Sequence, residues 1–230
     1  MHAEDRKKSD LDPLDEAEKL EAEGKYEEAL QKHVWVLDHI LEKQPAYYGV
    51  RLSFALAKWV ELGEKYPKAL TTLIEIRDGK ASRLSKGEQN RELFHDVKAI
   101  NQYLKQRAST ADLFKKLDAS SPGFAEQVYS LAEEDLVLAG EYQIARKYLK
   151  DPKAGLDWAR ENFEDGLRFA KNSRNPNSRK AFEGIFTDRV VQILTILDKT
   201  GDHATAEHLQ TEALKTLDNA RIKDALKAHP

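Results

Sequence analysis

The chain has 230 residues, 40% of them hydrophobic and 33% charged, with a net charge of −3 and no cysteine. That composition suits a folded chain with a sizeable core, and the missing cysteine excludes disulfides, cysteine-ligated zinc, iron–sulfur clusters and thiol nucleophiles. Near-balanced charge gives no whole-protein field drawing it to nucleic acid, and no run approaches the ~18 apolar residues that cross a bilayer.

Residues 1–12 are charged and lack periodicity, so they are expected to be a flexible tail preceding a single helical domain over 13–230. The start has no apolar signal core. The chain is therefore expected to be soluble; its compartment is left open, with the cytoplasm favoured over export after removal of a signal peptide.

Asp12-Pro13 supplies a cap and a helix-compatible proline for a first helix over about 14–23. After Gly24, Leu30, Val34, Leu37 and Leu41 form one helical stripe that ends at Gln44-Pro45. The two helices should form an antiparallel hairpin. Tyr48, Leu52, Ala55, Leu56 and Trp59 predict a helix over 47–62, and Gly63 to Pro67 then turns the chain into Ala69, Leu70, Leu73 and Ile74.

The middle is less regular. Asp78 to Asn90 reads as a polar loop, Leu93, Val97, Ile100 and Leu104 predict one long helix over 84–108, and a short helix follows over 111–117. Ser121-Pro122 starts another helix, Gly140 ends it, and a second helix closes before Asp151-Pro152. Helices over 153–171 and 176–200, a turn at Gly201 and a terminal helix over about 219–227 complete the chain. Without a sustained two-residue alternation, the expected class is all-α.

Three segments share one frame: GKYEEAL at Gly24, GEYQIAR at Gly140 and GDHATAE at Gly201. Glycine can take the left-handed conformation that ends a helix, and the alanine five positions later lets two helices cross closely. Ala29 and Ala69 are 40 positions apart, as are Ala17 and Ala57. Such recurrence marks hairpins that stack because none buries enough surface alone.

These turns, with Ala17 and Ala57 in first helices and Pro45 and Pro152 near repeat ends, resemble the tetratricopeptide repeat family over about 14–217. The pattern departs from the family in three places. One residue is added between Gly63 and Ala69, the hairpin after Leu84 lacks the signature, and Glu133 stands where a small residue is usual. The resemblance implies a right-handed superhelix of about five or six antiparallel hairpins. It further implies a non-enzymatic scaffold, monomeric or weakly dimeric, whose first helices line a concave groove for a peptide or partner helix. Groove positions left free by the apolar stripes are Arg51, Lys58, Lys98, Asn101, Gln127, Glu134 and Gln192. The family's carboxylate clamp is not matched, since the corresponding positions hold Leu14, Glu18 and Ala55.

Other chemistry finds little support. His203 and His208 are five apart, His33 and His39 six apart, and no HExxH frame exists, so neither metal nor cofactor is expected. Glu133-Glu134-Asp135 and Glu161, Glu164 and Asp165 read as solvated helix faces rather than acid–base pairs. The basic stretch from Lys171 to Lys180 could contact phosphates, which keeps a nucleic-acid-associated repeat as an alternative. It lacks an interleaved aromatic platform, and nucleic acid is the weaker expectation. A small-molecule sensor or an enzyme site assembled from distant helices is a third. Trp35 and Phe54 lie off their stripes, as inter-repeat contacts or groove anchors.

Overall fold

Helix punctuation in this sequence is dense, and the structure, a computed structural model that describes residues 12–227, follows it closely. The helices are α1 (Pro13–Ala22), α2 (Tyr26–Lys43), a 3-10 turn (Pro45–Tyr47), α3 (Tyr48–Arg51), α4 (Phe54–Lys65), α5 (Pro67–Ser85), α6 (Arg91–Tyr103) and α7 (Arg107–Ser120). They continue as α8 (Pro122–Leu138), α9 (Tyr142–Tyr148), α10 (Pro152–Asn172), α11 (Ser178–Lys199), α12 (His203–Thr216) and α13 (Ala220–Asp224). No strand occurs among the described residues, so the chain is all-α. The expected tail over 1–12 lies outside the described residues except for Asp12, which caps α1 by accepting a 2.9 Å bond from the Leu14 amide.

The joints share one mechanism. Gly24, Gly140 and Gly201 hold φ of 75°, 75° and 86°. In each case the following amide reaches back five residues: Lys25 to the Leu20 carbonyl, Glu141 to Leu136 and Asp202 to Leu197, at 2.8–2.9 Å. This closure satisfies carbonyls that the helix end leaves open. The alanines five positions on, Ala29, Ala145 and Ala206, are buried.

Between α6 and α7 the same joint recurs without a glycine. Lys105 takes φ 57°, and the Gln106 amide donates to the Asn101 carbonyl at 2.7 Å. Thr110, five positions after Lys105, is fully buried where the other turns place alanine. The long helix expected over 84–108 is therefore interrupted twice, at Gly87 (φ 101°) and at Lys105. The expected polar loop over 78–90 is helical as far as Ser85. Gly63, expected to turn the chain, is helical; a Cβ there would stand 3.0 Å from the Leu70 Cβ, so it admits α5 close to α4 while Tyr66-Pro67 makes the turn. The helix expected over 47–62 also breaks, at Leu52-Ser53.

The chain divides into two compact units, Met1–Val128 and Tyr129–Pro230, with the boundary inside α8. In the first, α1 packs on α2, α4 on α5, α5 on α6 and α6 on α7, while α2 also reaches α4, α4 reaches α6 and α5 reaches α7, the pattern stacked hairpins produce. Leu30, Leu37, Leu56, Leu62, Leu73 and Ile100 surround Trp59, whose indole donates a 2.8 Å bond to the Ala69 carbonyl. The turn aromatics Tyr26 and Tyr66 stack at 6.0 Å. Trp35 joins a second cluster with Val36, Ile40 and Ala55, and Phe54 faces solvent. In the second unit α10 packs on α11, α9 and α12 pack on α11, and α13 closes against α11 and α12.

Two expectations about stability come from these features. Gly140→Val forces a β-branched residue into the left-handed region and should cost more than about 1 kcal/mol. Lys105→Gly relieves the same strain and should leave stability equal or raised, both read from chemical denaturation. His33 is buried beside Trp59, and its Nδ1 has no hydrogen-bond partner. Burial lowers its pKa to about 4, partly opposed by Glu21 and Glu18. The folded state thus resists protonation that the unfolded chain accepts, so stability should fall as pH drops from about 6.5 towards 4, by roughly 3 kcal/mol at most. In His33→Leu, thermal melts across that window should show a correspondingly flatter profile.

Candidate functional site

Two of the seven expected groove residues are internal. Arg51 is buried, donating to the Leu37 carbonyl at 2.9 Å and pairing with Asp96 at 2.6 Å, while Lys80 meets the other Asp96 oxygen at 2.5 Å. The Arg51 guanidinium also lies over the Tyr48 ring, whose hydroxyl bonds His95 at 2.9 Å. A charge this deeply withdrawn from water needs such partners, and removing one would leave the other uncompensated. Asn101 is likewise buried: its Oδ1 accepts from Arg77 at 2.6 Å and its Nδ2 donates to Thr110 at 3.1 Å. The expectation that Arg51 and Asn101 face a groove is corrected, because both spend their polar groups holding helices together. Helical periodicity could not have found this, since the partners lie 45 and 24 positions away in sequence.

Three more stay at the surface without gathering into a site. Lys58 bridges Glu18 at 3.2 Å and Glu61 at 3.1 Å. Lys98 is half-buried and donates to Gln102 at 3.1 Å, and Gln127 is exposed. The first unit does carry a polar hollow of about 460 Å³ between α5, α6 and α7, lined by Arg77, Ser82, Ser85, Ser109, Asp112 and Lys116. Arg77 there is already satisfied by Asp78, Asn101 and Gln106.

Glu134 and Gln192 do meet. They line a groove of about 390 Å³ in the second unit together with Ser130, Glu133, Trp158 and Arg189. An adjoining hollow of about 230 Å³ shares Glu134 and Gln192 and adds Leu138, Asp188 and Arg221. Two ion pairs line these hollows: Arg189 pairs with the buried Glu133 in the groove, and Arg221 with Asp188 at 2.6 Å in the adjoining hollow. The groove continues into an apolar cleft of about 160 Å³ between α10 and α11, walled by Trp158, Phe163, Phe182, Ile185 and Phe186.

Two glycines shape this cleft. At Gly166 an added Cβ would stand 2.3 Å from a Phe182 ring carbon, and at Gly155, three turns earlier on the same face, 3.2 Å from Ile193. Their missing side chains let α11 lie close to α10 and seat Phe182 edge-on to Phe169 at 6.2 Å, with Phe163 stacked on Phe186 at 5.1 Å. Sequence reasoning missed Trp158, Ile185 and Phe182 as site residues because large apolar side chains on a helix usually serve burial. The usable signal was Trp158 and Phe169 separated by three helical turns on one face of α10.

Among the described residues no cluster of histidine, aspartate and glutamate could hold a metal ion, and no helix is long and apolar enough to cross a membrane. Comparison of the chain with protein-family models, characterised proteins and solved structures finds no match.

Gly166→Ala must push Phe182 out of the cleft. It should lower the melting temperature by several degrees and raise the accessibility of the Phe182 region in hydrogen exchange, whereas Gly184→Ala, where a Cβ meets nothing within 4 Å, should do neither.

Proposed function

We propose that this chain is a non-enzymatic scaffold of tetratricopeptide-like hairpins, stacked as a right-handed superhelix, that binds a peptide or partner helix through the groove on its second unit. The observation that carries this reading is the distribution of exposed apolar side chains. Of the large hydrophobic residues exposed in the described chain, Leu138, Trp158, Phe169 and Ile185 all belong to the second unit, and only Phe54 does not. Three of them border the continuous groove that Glu134 and Gln192 also line. Solvent-facing apolar residues that gather along a groove with a polar rim mark an interaction surface, whereas scattered ones need no explanation. The repeated glycine joint and buried alanines support the repeat architecture, which commonly presents such surfaces.

A random peptide display selection on the full chain, counter-selected on its Trp158→Ala variant, tests this. Enrichment of sequences that bind the parent and lose at least tenfold in affinity on the variant is the expected result. Recovery of no such sequence, or of binders indifferent to Trp158→Ala and Ile185→Ser alike, would remove the groove from the proposal.

A further inference from the structure

We infer that the cleft between α10 and α11 docks an acidic amphipathic helix of about three turns from a partner protein. This rests on the groove reading above and names the chemistry of its occupant.

Size comes first. Trp158, Phe169 and Ile185 are 59%, 63% and 60% exposed. At 150–250 Å² per large side chain they offer roughly 350 Å² of apolar surface, well short of the roughly 800 Å² per partner of a standard interface between globular proteins. A second copy of this chain would leave most of its own face unmatched there. Trp158 and Phe169 are eleven positions apart on α10, a span of about 16 Å, which a partner helix covers in three turns with anchors at i, i+3 or i+4, and i+7.

Charge sets the partner's other face. From Arg168 to Lys180 the chain holds five basic residues and no acid. Arg168 pairs with Asp165 and Arg179 with Glu183, but Lys171, Arg174 and Lys180 make no ion pair among the described residues. These three lie where α10 ends beside Phe169 and where α11 begins, at one end of the apolar cleft. The opposite end carries the Arg189–Glu133 and Arg221–Asp188 pairs beside Glu134. A helix with carboxylates flanking its apolar stripe would therefore meet uncompensated cations at one end. The same cations could face nucleic acid, yet the aromatic side chains beside them, Phe169 and Phe182, pack edge-on against each other rather than forming an open stacking platform.

The test is isothermal titration of the full chain with a synthetic helical peptide of about fifteen residues, leucines on one face and glutamates on the other, beside its lysine counterpart. The glutamate peptide should bind at least tenfold more tightly than the lysine peptide, and its affinity should fall as salt rises. K171E/R174E/K180E should weaken it at least tenfold and invert the preference, while Trp158→Ala or Ile185→Ser should weaken both peptides. Equal binding of the two peptides, each still lost in Trp158→Ala, would overturn the acidic partner and leave the groove reading intact. Binding of neither would overturn the helix proposal, with the display selection deciding the groove independently. Two other results would also overturn it: a parent dimer in sedimentation that Trp158→Ala makes monomeric, and capture by anionic but not neutral vesicles in the absence of peptide binding.

Discussion

Every joint of the kind seen at Gly24, Gly140 and Gly201 demands that one residue enter the left-handed region so that the next amide can reach the carbonyl five residues back. That single bond reverses the chain within two residues, and the reversal brings the following alanine against the preceding helix. The requirement is strong enough that at Lys105 the backbone adopts the same conformation without glycine, and the strain of roughly 1–2 kcal/mol is offset by the helices it docks.

Small residues carry the consequence into the packing. Ala29, Ala69, Ala145 and Ala206 are fully or almost fully buried, and Thr110 joins them with its hydroxyl oxygen accepting from the Asn101 amide. Through Asn101 the Thr110 contact extends to Arg77 and thence to Gln106 beside the turn. Polar residues thus replace an apolar contact in this hairpin without leaving a buried group unsatisfied. The Arg51–Asp96–Lys80 cluster draws α3, α5 and α6 together by paired charge.

In the second unit close approach is set by absence of side chains. Gly155 and Gly166 occur three turns apart, and α11 fills the space they leave with Ile193 and Phe182. Seating Phe182 there exposes its neighbours Phe169 and Ile185 and opens a cleft beside Trp158. The apolar surface left uncovered is therefore a product of how two long helices fit, and its basic border comes from the connection between them.

Much of the architecture was legible along the chain. Asp12-Pro13, Asp151-Pro152 and the glycine frames located most helix ends to within a few residues, because caps and left-handed turns are local effects that depend on residue type. The Lys105 joint was hidden for the complementary reason: tertiary packing imposed on lysine a conformation that its own propensity disfavours. The helical stretch from Asp78 to Ser85 was hidden too, since its polar residues help hold α5 against α6 and α7 rather than form an apolar stripe. Of the candidate site, Glu134 and Gln192 could be placed by helical spacing, which reports which face a residue occupies. Whether that face is open or covered depends on partners tens of residues distant. Local sequence thus determined most of the helices, the three glycine joints and the all-α class. Only tertiary structure decided that Arg51 and Asn101 are internal and that Trp158, Phe169 and Ile185 are left in water, because burial depends on the side chains that distant helices bring against a face.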